Sequence, residues 1–129
     1  MLVDDNPDDN FFHEREIKKN DTSTIVITKN TATGALNYLK ANKDKNFMLP
    51  DLILLDINMP GMNGWEFLQE YNLLEKELQS KVVIIMLTTS ENSDDIIKAK
   101  SENYVSDFIT KPMTKAIMKQ ITAKYFRKE

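Results

Sequence analysis

The sequence contains no cysteine, one histidine and only three glycines among its 129 residues. The lack of cysteine excludes disulfides, a thiol nucleophile and thiolate metal ligands. The single histidine, His13, excludes metal sites built from several histidines. With three glycines, no glycine-rich loop that cradles phosphate groups can be assembled, so nucleotide binding of that kind has no support. Any chemistry must therefore rest on carboxylates, hydroxyls and lysines.

The sequence also lacks long apolar runs and a strong net charge. No run approaches the roughly 20 residues that a membrane-spanning helix needs, and residues 1–5 lack the basic and apolar regions of a signal peptide. A net charge of -3 gives no general attraction to nucleic acid or anionic membranes. We therefore expect one cytoplasmic domain over residues 1–129, binding neither nucleic acid nor membrane.

Short apolar runs alternate with amphipathic stretches along the whole chain. The predicted strands cover 2–3, 25–27, 52–55, 82–87 and 105–110. The predicted helices begin near Asn6, Ala32, Gly64, Ser93 and Thr114. The run at 52–55 is wholly apolar, which is typical of a strand buried on both faces. Five strand–helix units predict an α/β fold with a parallel sheet and helices on both faces.

Charged and hydroxyl residues stand where four of these strands end. They are Asp4-Asp5, Asp56, Thr88 and Lys111. In an open parallel sheet, ligands bind beyond the carboxyl ends of the strands. Clustered carboxylates favour a hard cation such as Mg²⁺, and one of them can attack phosphorus to form an acyl phosphate. A lysine and a hydroxyl can neutralise charge on the transferred group. The pattern therefore predicts a phosphoryl-transfer site.

Four segments of the sequence stand out: Asp4-Asp5, LDINMPGMNG at 55–64, Leu87-Thr88-Thr89-Ser90, and Lys111-Pro112. In order and spacing they resemble the receiver domains of two-component signalling. The resemblance covers essentially the whole chain. It implies a flavodoxin-like (βα)5 fold, doubly wound around a five-stranded parallel sheet of strand order 2-1-3-4-5.

The resemblance implies specific metal ligands. Asp5 and Asp56 would bind Mg²⁺ directly, together with the backbone carbonyl of Asn58. Asp4 would hold the ion mostly through water. Mg²⁺ is thus the expected cofactor.

The resemblance also implies a phosphorylation switch. Asp56 would be the phosphoacceptor, with Thr88 bonding the phosphoryl group and Lys111 pairing with it. Phosphorylation would draw Thr88 inward, and Phe108 would follow, where a tyrosine is frequent in the family. Because phenylalanine has no hydroxyl, the inward state here would lack a hydrogen bond. Such domains also have a cis bond before the proline that follows the lysine, here Pro112.

The implied function is that of a single-domain response regulator. It would accept phosphate from a sensor histidine kinase, a histidine phosphotransfer protein or a small phosphodonor. The face made by the fourth helix, fifth strand and last helix would then bind an output protein, or phosphate would pass onward. It would catalyse only its own phosphorylation and dephosphorylation. Its implied oligomeric state is either a monomer or a phosphorylation-dependent dimer. The predicted last helix ends about three residues before the chain does, which favours a stand-alone regulator.

Two other classes share part of this pattern. A phosphatase of the haloacid dehalogenase type also uses a strand-end aspartate. That class has the pattern Asp-x-Asp, however, and here Asn58 stands where the second acid is needed. A Ca²⁺-binding loop starting at Asp56 fails because Pro60 and Phe67 occupy two ligand positions.

Three further features have ordinary interpretations. His13 lies in a charged segment, which predicts a solvated surface histidine. Trp65 is expected to pack at the start of the third helix. The basic residues near the C-terminus predict a solvated helix face; they are Lys115, Lys119, Lys124, Arg127 and Lys128.

Overall fold

A computed structural model describes residues 1–45, 48–74, 82–89, 97–98 and 105–126. The strands in the described part are β1 Leu2–Val3, β2 Thr28–Lys29, β3 Leu52–Asp56, β4 Val83–Thr88 and β5 Asp107–Thr110. The helices are α1 Pro7–Asn20, α2 Ala32–Ala41, α3 Gly64–Tyr71 and α4 Lys115–Tyr125. Residues 97 and 98 are helical too. The expected start of that helix at Ser93 lies outside the described residues.

All five strands are parallel and follow the order β2-β1-β3-β4-β5, which confirms the predicted topology. The pairing register is continuous across the centre of the sheet. Val3 pairs with Leu55, Asp56 with Leu87, and Thr88 with Thr110. The carboxyl ends of β1, β3, β4 and β5 therefore meet at one edge.

The position predicted for the second strand is wrong by three residues. The apolar run at 25–27 precedes β2, which consists of Thr28 and Lys29 and pairs only with β1. Ile25 is 83% exposed, although the carbonyl of Ile27 still accepts a hydrogen bond from the Leu2 amide at 2.8 Å. The physical reason is that β2 lies at the sheet edge, where burial on both faces is not required.

The sheet separates two apolar clusters, as the predicted helices on both faces require. Successive strand residues point to opposite faces. The first cluster, here called the α2–α3 core, includes Ile53, Leu55, Ile84 and Met86 of the sheet with Leu36, Leu39, Phe67 and Tyr71 of the two helices. The second, the α1–α4 core, comprises Leu2, Ile17, Leu54, Ile85, Leu87, Met113, Met118 and Ile121.

Local sequence signals start α1 directly after β1. The Asn6 side chain caps the helix by accepting hydrogen bonds from the amides of Asp8 and Asp9, at 2.9 and 3.3 Å. Pro7 occupies the first helical position, where its missing N–H costs nothing. The two aspartates of the first turn favour the positive end of the helix dipole. The first turn of α1 is thereby fixed beside the carboxyl end of β1.

Gly64 permits α3 to approach the loop that follows Asp56 without an intervening side chain. A Cβ atom at position 64 would lie 2.7 Å from the Asp56 carbonyl oxygen and 2.9 Å from the Ile57 Cα. The Gly64 amide donates a hydrogen bond to the Ile57 carbonyl at 2.8 Å. Asn63 caps the helix through a reciprocal pair of hydrogen bonds with Glu66. The base of α3 is thus in contact with the backbone that carries Asp56.

Replacing Gly64 by alanine should destabilise the protein by about 1–3 kcal/mol, because the added methyl group meets backbone atoms that cannot move alone. Urea denaturation measures this change. Gly34→Ala in α2 is the control, since its methyl group meets only the Thr31 hydroxyl at 3.0 Å. Equal destabilisation by the two substitutions would contradict the close approach of α3 to the Asp56 loop.

Candidate functional site

Three carboxylates meet at the carboxyl edge of the sheet. Because β1 and β3 are parallel neighbours, Asp4 and Asp5 follow the strand that lies beside Asp56. One carboxylate oxygen from each of the three residues lies within 4.8 Å of the other two. Asp4 and Asp56 are buried, whereas Asp5 is exposed. The sheet topology therefore gathers three negative charges from distant parts of the sequence.

Burial raises the pKa of Asp56 to about 6, and the nearby Asp4 charge adds to this rise. Lys111 acts in the opposite direction. A buried carboxylate beside like charges is stabilised in its ionised form by a nearby cation. The three acids offer only oxygen donors, which is the donor set that Mg²⁺ prefers. These residues therefore fit a magnesium site.

The Lys111 ammonium lies among these acids. Its Nζ atom is 2.7 Å from Asp4 Oδ2, 2.9 Å from Asp9 Oδ2 and 3.5 Å from Asp56 Oδ1. Burial disfavours the charged ammonium, but the hydrogen bonds to Asp4 and Asp9 outweigh it, so the pKa of Lys111 is raised. The Lys111 amide also donates to the Thr88 carbonyl at 2.7 Å. The side chain is thus a fixed positive charge facing Asp56.

The remaining predicted site residues lie around this group. Thr88 is the fully buried last residue of β4, one position beyond the partner of Asp56 in the sheet. Asn58 is exposed in the loop two residues after Asp56. Phe108, on β5, is half-buried and packs against the α2–α3 core. The Lys111–Pro112 peptide bond is cis. The roles assigned to these residues stay predictions.

A sequence model of the response regulator receiver domain family matches residues 1–123 of the chain. The chain belongs to this family. Response regulator Rcp1 of Synechocystis is 30% identical over 112 residues, in an alignment that spans 86% of this chain and 74% of Rcp1.

Solved structures agree with this assignment. A two-component response regulator from Cytophaga hutchinsonii superposes with a TM-score of 0.90 at 25% identity, covering 98% of this chain and 95% of its own. The phosphorylated cyanobacterial phytochrome response regulator RcpA superposes with a TM-score of 0.77 at 30% identity, covering 96% of this chain and 90% of RcpA. None of the helices in the described part of this receiver domain has the length and apolarity needed to cross a bilayer.

The prediction that His13 is a solvated surface residue is wrong. His13 is 2% exposed, and its Nε2 atom accepts a hydrogen bond from the Met113 amide at 3.2 Å. Burial lowers its pKa below the usual value, and the Lys111 charge lowers it further. The charged neighbours Glu14 and Arg15 concealed this burial. The spacing of His13 four residues before the buried Ile17 is the signal that could have revealed it.

Asp9 is a residue of the site that sequence reasoning missed. Its position in the first turn of α1 predicted only a favourable interaction with the helix dipole, yet its carboxylate contacts Lys111. No short-range pattern signals this contact, because the two residues are 102 positions apart.

The other surface predictions are confirmed within the described residues. Trp65 packs against the α2–α3 core at the start of α3, with the Lys98 ammonium 4.7 Å from the centre of its ring. Lys115, Lys119 and Lys124 are exposed on α4. Arg127 and Lys128 lie outside the described residues.

Replacing Asp56 by asparagine should raise the free energy of unfolding of the metal-free protein near neutral pH, by about 2–3 kcal/mol. In the folded protein the pKa of Asp56 is about 6, whereas its ordinary value is 3.8, so the folded state keeps the proton to a higher pH. As pH rises from the lower to the higher of these values, the wild type loses the stability that the protonated Asp56 contributes, and the variant does not. The advantage should vanish below about pH 4.

Urea denaturation across this pH range measures the difference, with Asp44→Asn, at an exposed turn residue, as the control. Saturating Mg²⁺ should reduce the difference in unfolding free energy between Asp56→Asn and the wild type, because it stabilises the wild type. An Asp56→Asn variant less stable than the wild type at neutral pH would contradict the electrostatic account.

The His13 ring should titrate below 6.5 in proton NMR, because burial opposes its charged form. Its signals need no assignment, since the chain has one histidine. Urea-unfolded protein supplies the reference, and an equal or higher midpoint in the folded protein would contradict the buried position.

Proposed function

We propose that this receiver domain acts as a response regulator that accepts a phosphoryl group on Asp56 in a Mg²⁺-dependent reaction. The observation that carries the proposal is the convergence of three carboxylates with one ammonium, whose Nζ atom lies 3.5 Å from Asp56 Oδ1. The phosphate comes from a sensor histidine kinase, a histidine phosphotransfer protein or a small phosphodonor. The domain spans residues 1–129 and works in the cytoplasm.

In the proposed reaction, a carboxylate oxygen of Asp56 attacks phosphorus. The bond from phosphorus to the donor atom breaks, and the electron pair leaves with the donor, so Asp56 becomes an acyl phosphate. Lys111 neutralises charge on the transferred oxygens. Asp4, Asp5, Asp56 and the Asn58 carbonyl would hold Mg²⁺, which when bound supplies positive charge to the phosphoryl oxygens and relieves repulsion among the acids.

The proposed signal leaves the site through Thr88 and Phe108. Thr88 ends β4 beside the Asp56 strand, so its hydroxyl is suited to donate a hydrogen bond to the phosphoryl group. Phe108 is only half-buried on the neighbouring strand, which leaves its ring room to repack. β5, α4 and the fourth predicted helix would then present an altered face to an output protein. The signalling form is a monomer or a phosphorylation-dependent dimer.

Two observations support this function over a dehalogenase-type phosphatase. Asn58 carries no carboxyl group that could act as general acid and base two residues after Asp56. The relative Rcp1 is a response regulator, and the similar response regulator RcpA was crystallised in its phosphorylated form.

Incubation with acetyl phosphate and Mg²⁺ should add one phosphoryl group per chain, detected by intact-protein mass spectrometry. Asp56→Asn should abolish the addition, because an amide is not a nucleophile for this reaction. Asp44→Asn, at an exposed turn residue, should be labelled like the wild type. Chelation of Mg²⁺ should prevent labelling. Stoichiometric labelling of Asp56→Asn would place the acceptor elsewhere and refute the proposal.

A further inference from the structure

Three side chains on one face of α1 reach the segment that follows β5. They are Asp9, His13 and Glu16, whose spacing of four and three residues places them in one row along the helix. Asp9 Oδ2 accepts from Lys111 Nζ at 2.9 Å, and His13 Nε2 accepts from the Met113 amide at 3.2 Å. Glu16 Oε1 accepts from the Lys115 amide at 3.1 Å. We call this row the α1 stripe.

The α1 stripe contacts alternate residues of the segment from 111 to 115. Met113 is fully buried, and Lys115 is the first residue of α4, whose amide has no partner within its own helix. Two backbone amides of the segment thus donate to α1 side chains. Together with the Asp9–Lys111 contact, these bonds tie α1 to the segment from which the Lys111 side chain projects.

Asp9 differs from the other acids that surround Lys111. Among the described residues, the acids grouped for a cation are Asp4, Asp5 and Asp56, and Asp9 is not one of them. A cation bound by those acids would draw on the Asp4 carboxylate and repel the ammonium. The Asp9 carboxylate remains as a counter-charge that the cation does not share.

We propose that Asp9 is a positioning residue, which holds the Lys111 ammonium toward Asp56 when the three acids of the site bind Mg²⁺. The inference rests on the proposed function, which it deepens. An ammonium has three donors. Hydrogen bonds to Asp4 and Asp9 occupy two of them, and the ammonium lies 3.5 Å from Asp56. With Asp9 in place, Lys111 is already oriented when the phosphoryl group arrives, and no side-chain ordering is needed.

The test compares Asp9→Asn with Asp8→Asn. Both remove one charge from the first turn of α1, but Asp8 is exposed and its carboxylate is not among those that contact Lys111. At saturating Mg²⁺, Asp9→Asn should label with acetyl phosphate about tenfold more slowly than the wild type, as expected for the loss of one charge-assisted hydrogen bond. Asp8→Asn should stay within about twofold of the wild type. Asp9→Glu, which retains the charge, should restore most of the rate.

A second readout separates this proposal from the proposed function. In nitrogen-15 NMR of the Mg²⁺-loaded protein without phosphodonor, the Lys111 ammonium signal should be visible in the wild type and in Asp8→Asn, and broadened beyond detection in Asp9→Asn. Equal labelling rates and equal ammonium signals for Asp9→Asn and Asp8→Asn would overturn the positioning role. Faster labelling of Asp9→Asn would overturn it too, because Asp9 would then compete with phosphate for Lys111. If the wild type is not labelled at Asp56, the proposed function fails, and the ammonium signal still decides the role of Asp9.

Discussion

Mutual repulsion among closely spaced carboxylates is the constraint on which the described site depends. Asp4 and Asp56 are both buried, and Asp5 brings a third charge within 4.8 Å. A fold tolerates such a group only where positive charge compensates it or where a carboxyl keeps its proton. Lys111 supplies one such charge, and its side chain is itself only 10% exposed. Burial, to which the Asp4 charge adds, still raises the pKa of Asp56 to about 6 despite Lys111, which leaves the site suited to a further cation.

The parallel sheet makes this arrangement possible. Pairing of β1 with β3 sets Asp4 and Asp5 beside Asp56, and pairing of β4 with β5 brings Lys111 to the same edge, where its amide bonds to the Thr88 carbonyl. Each acid follows or ends a strand whose apolar residues alternate between the two cores. The favourable burial of those strands therefore offsets the electrostatic cost of the acids at their ends.

The strands with the strongest burial are the ones that the sequence predicts best. β3 and β4 are continuous apolar runs in the middle of the sheet, so their ends, and with them Asp56 and Thr88, could be located to within one residue. β2 was misplaced because an edge strand of two residues carries no clear apolar pattern. The burial of His13 is hidden because the charged residues Glu14 and Arg15 follow it in sequence, although they lie on other faces of the helix. The contact of Asp9 with Lys111 depends on how α1 lies against the end of β5, which no local pattern encodes.

The absence of a side chain at position 64 has a mechanical consequence. Backbone lies against backbone where α3 meets the loop after Asp56, and atoms in such direct contact transmit displacement with little damping by side-chain rotation. The helix and the loop should therefore move as one rigid unit. A side chain introduced at position 64 would therefore displace the backbone that carries Asp56 together with the base of α3.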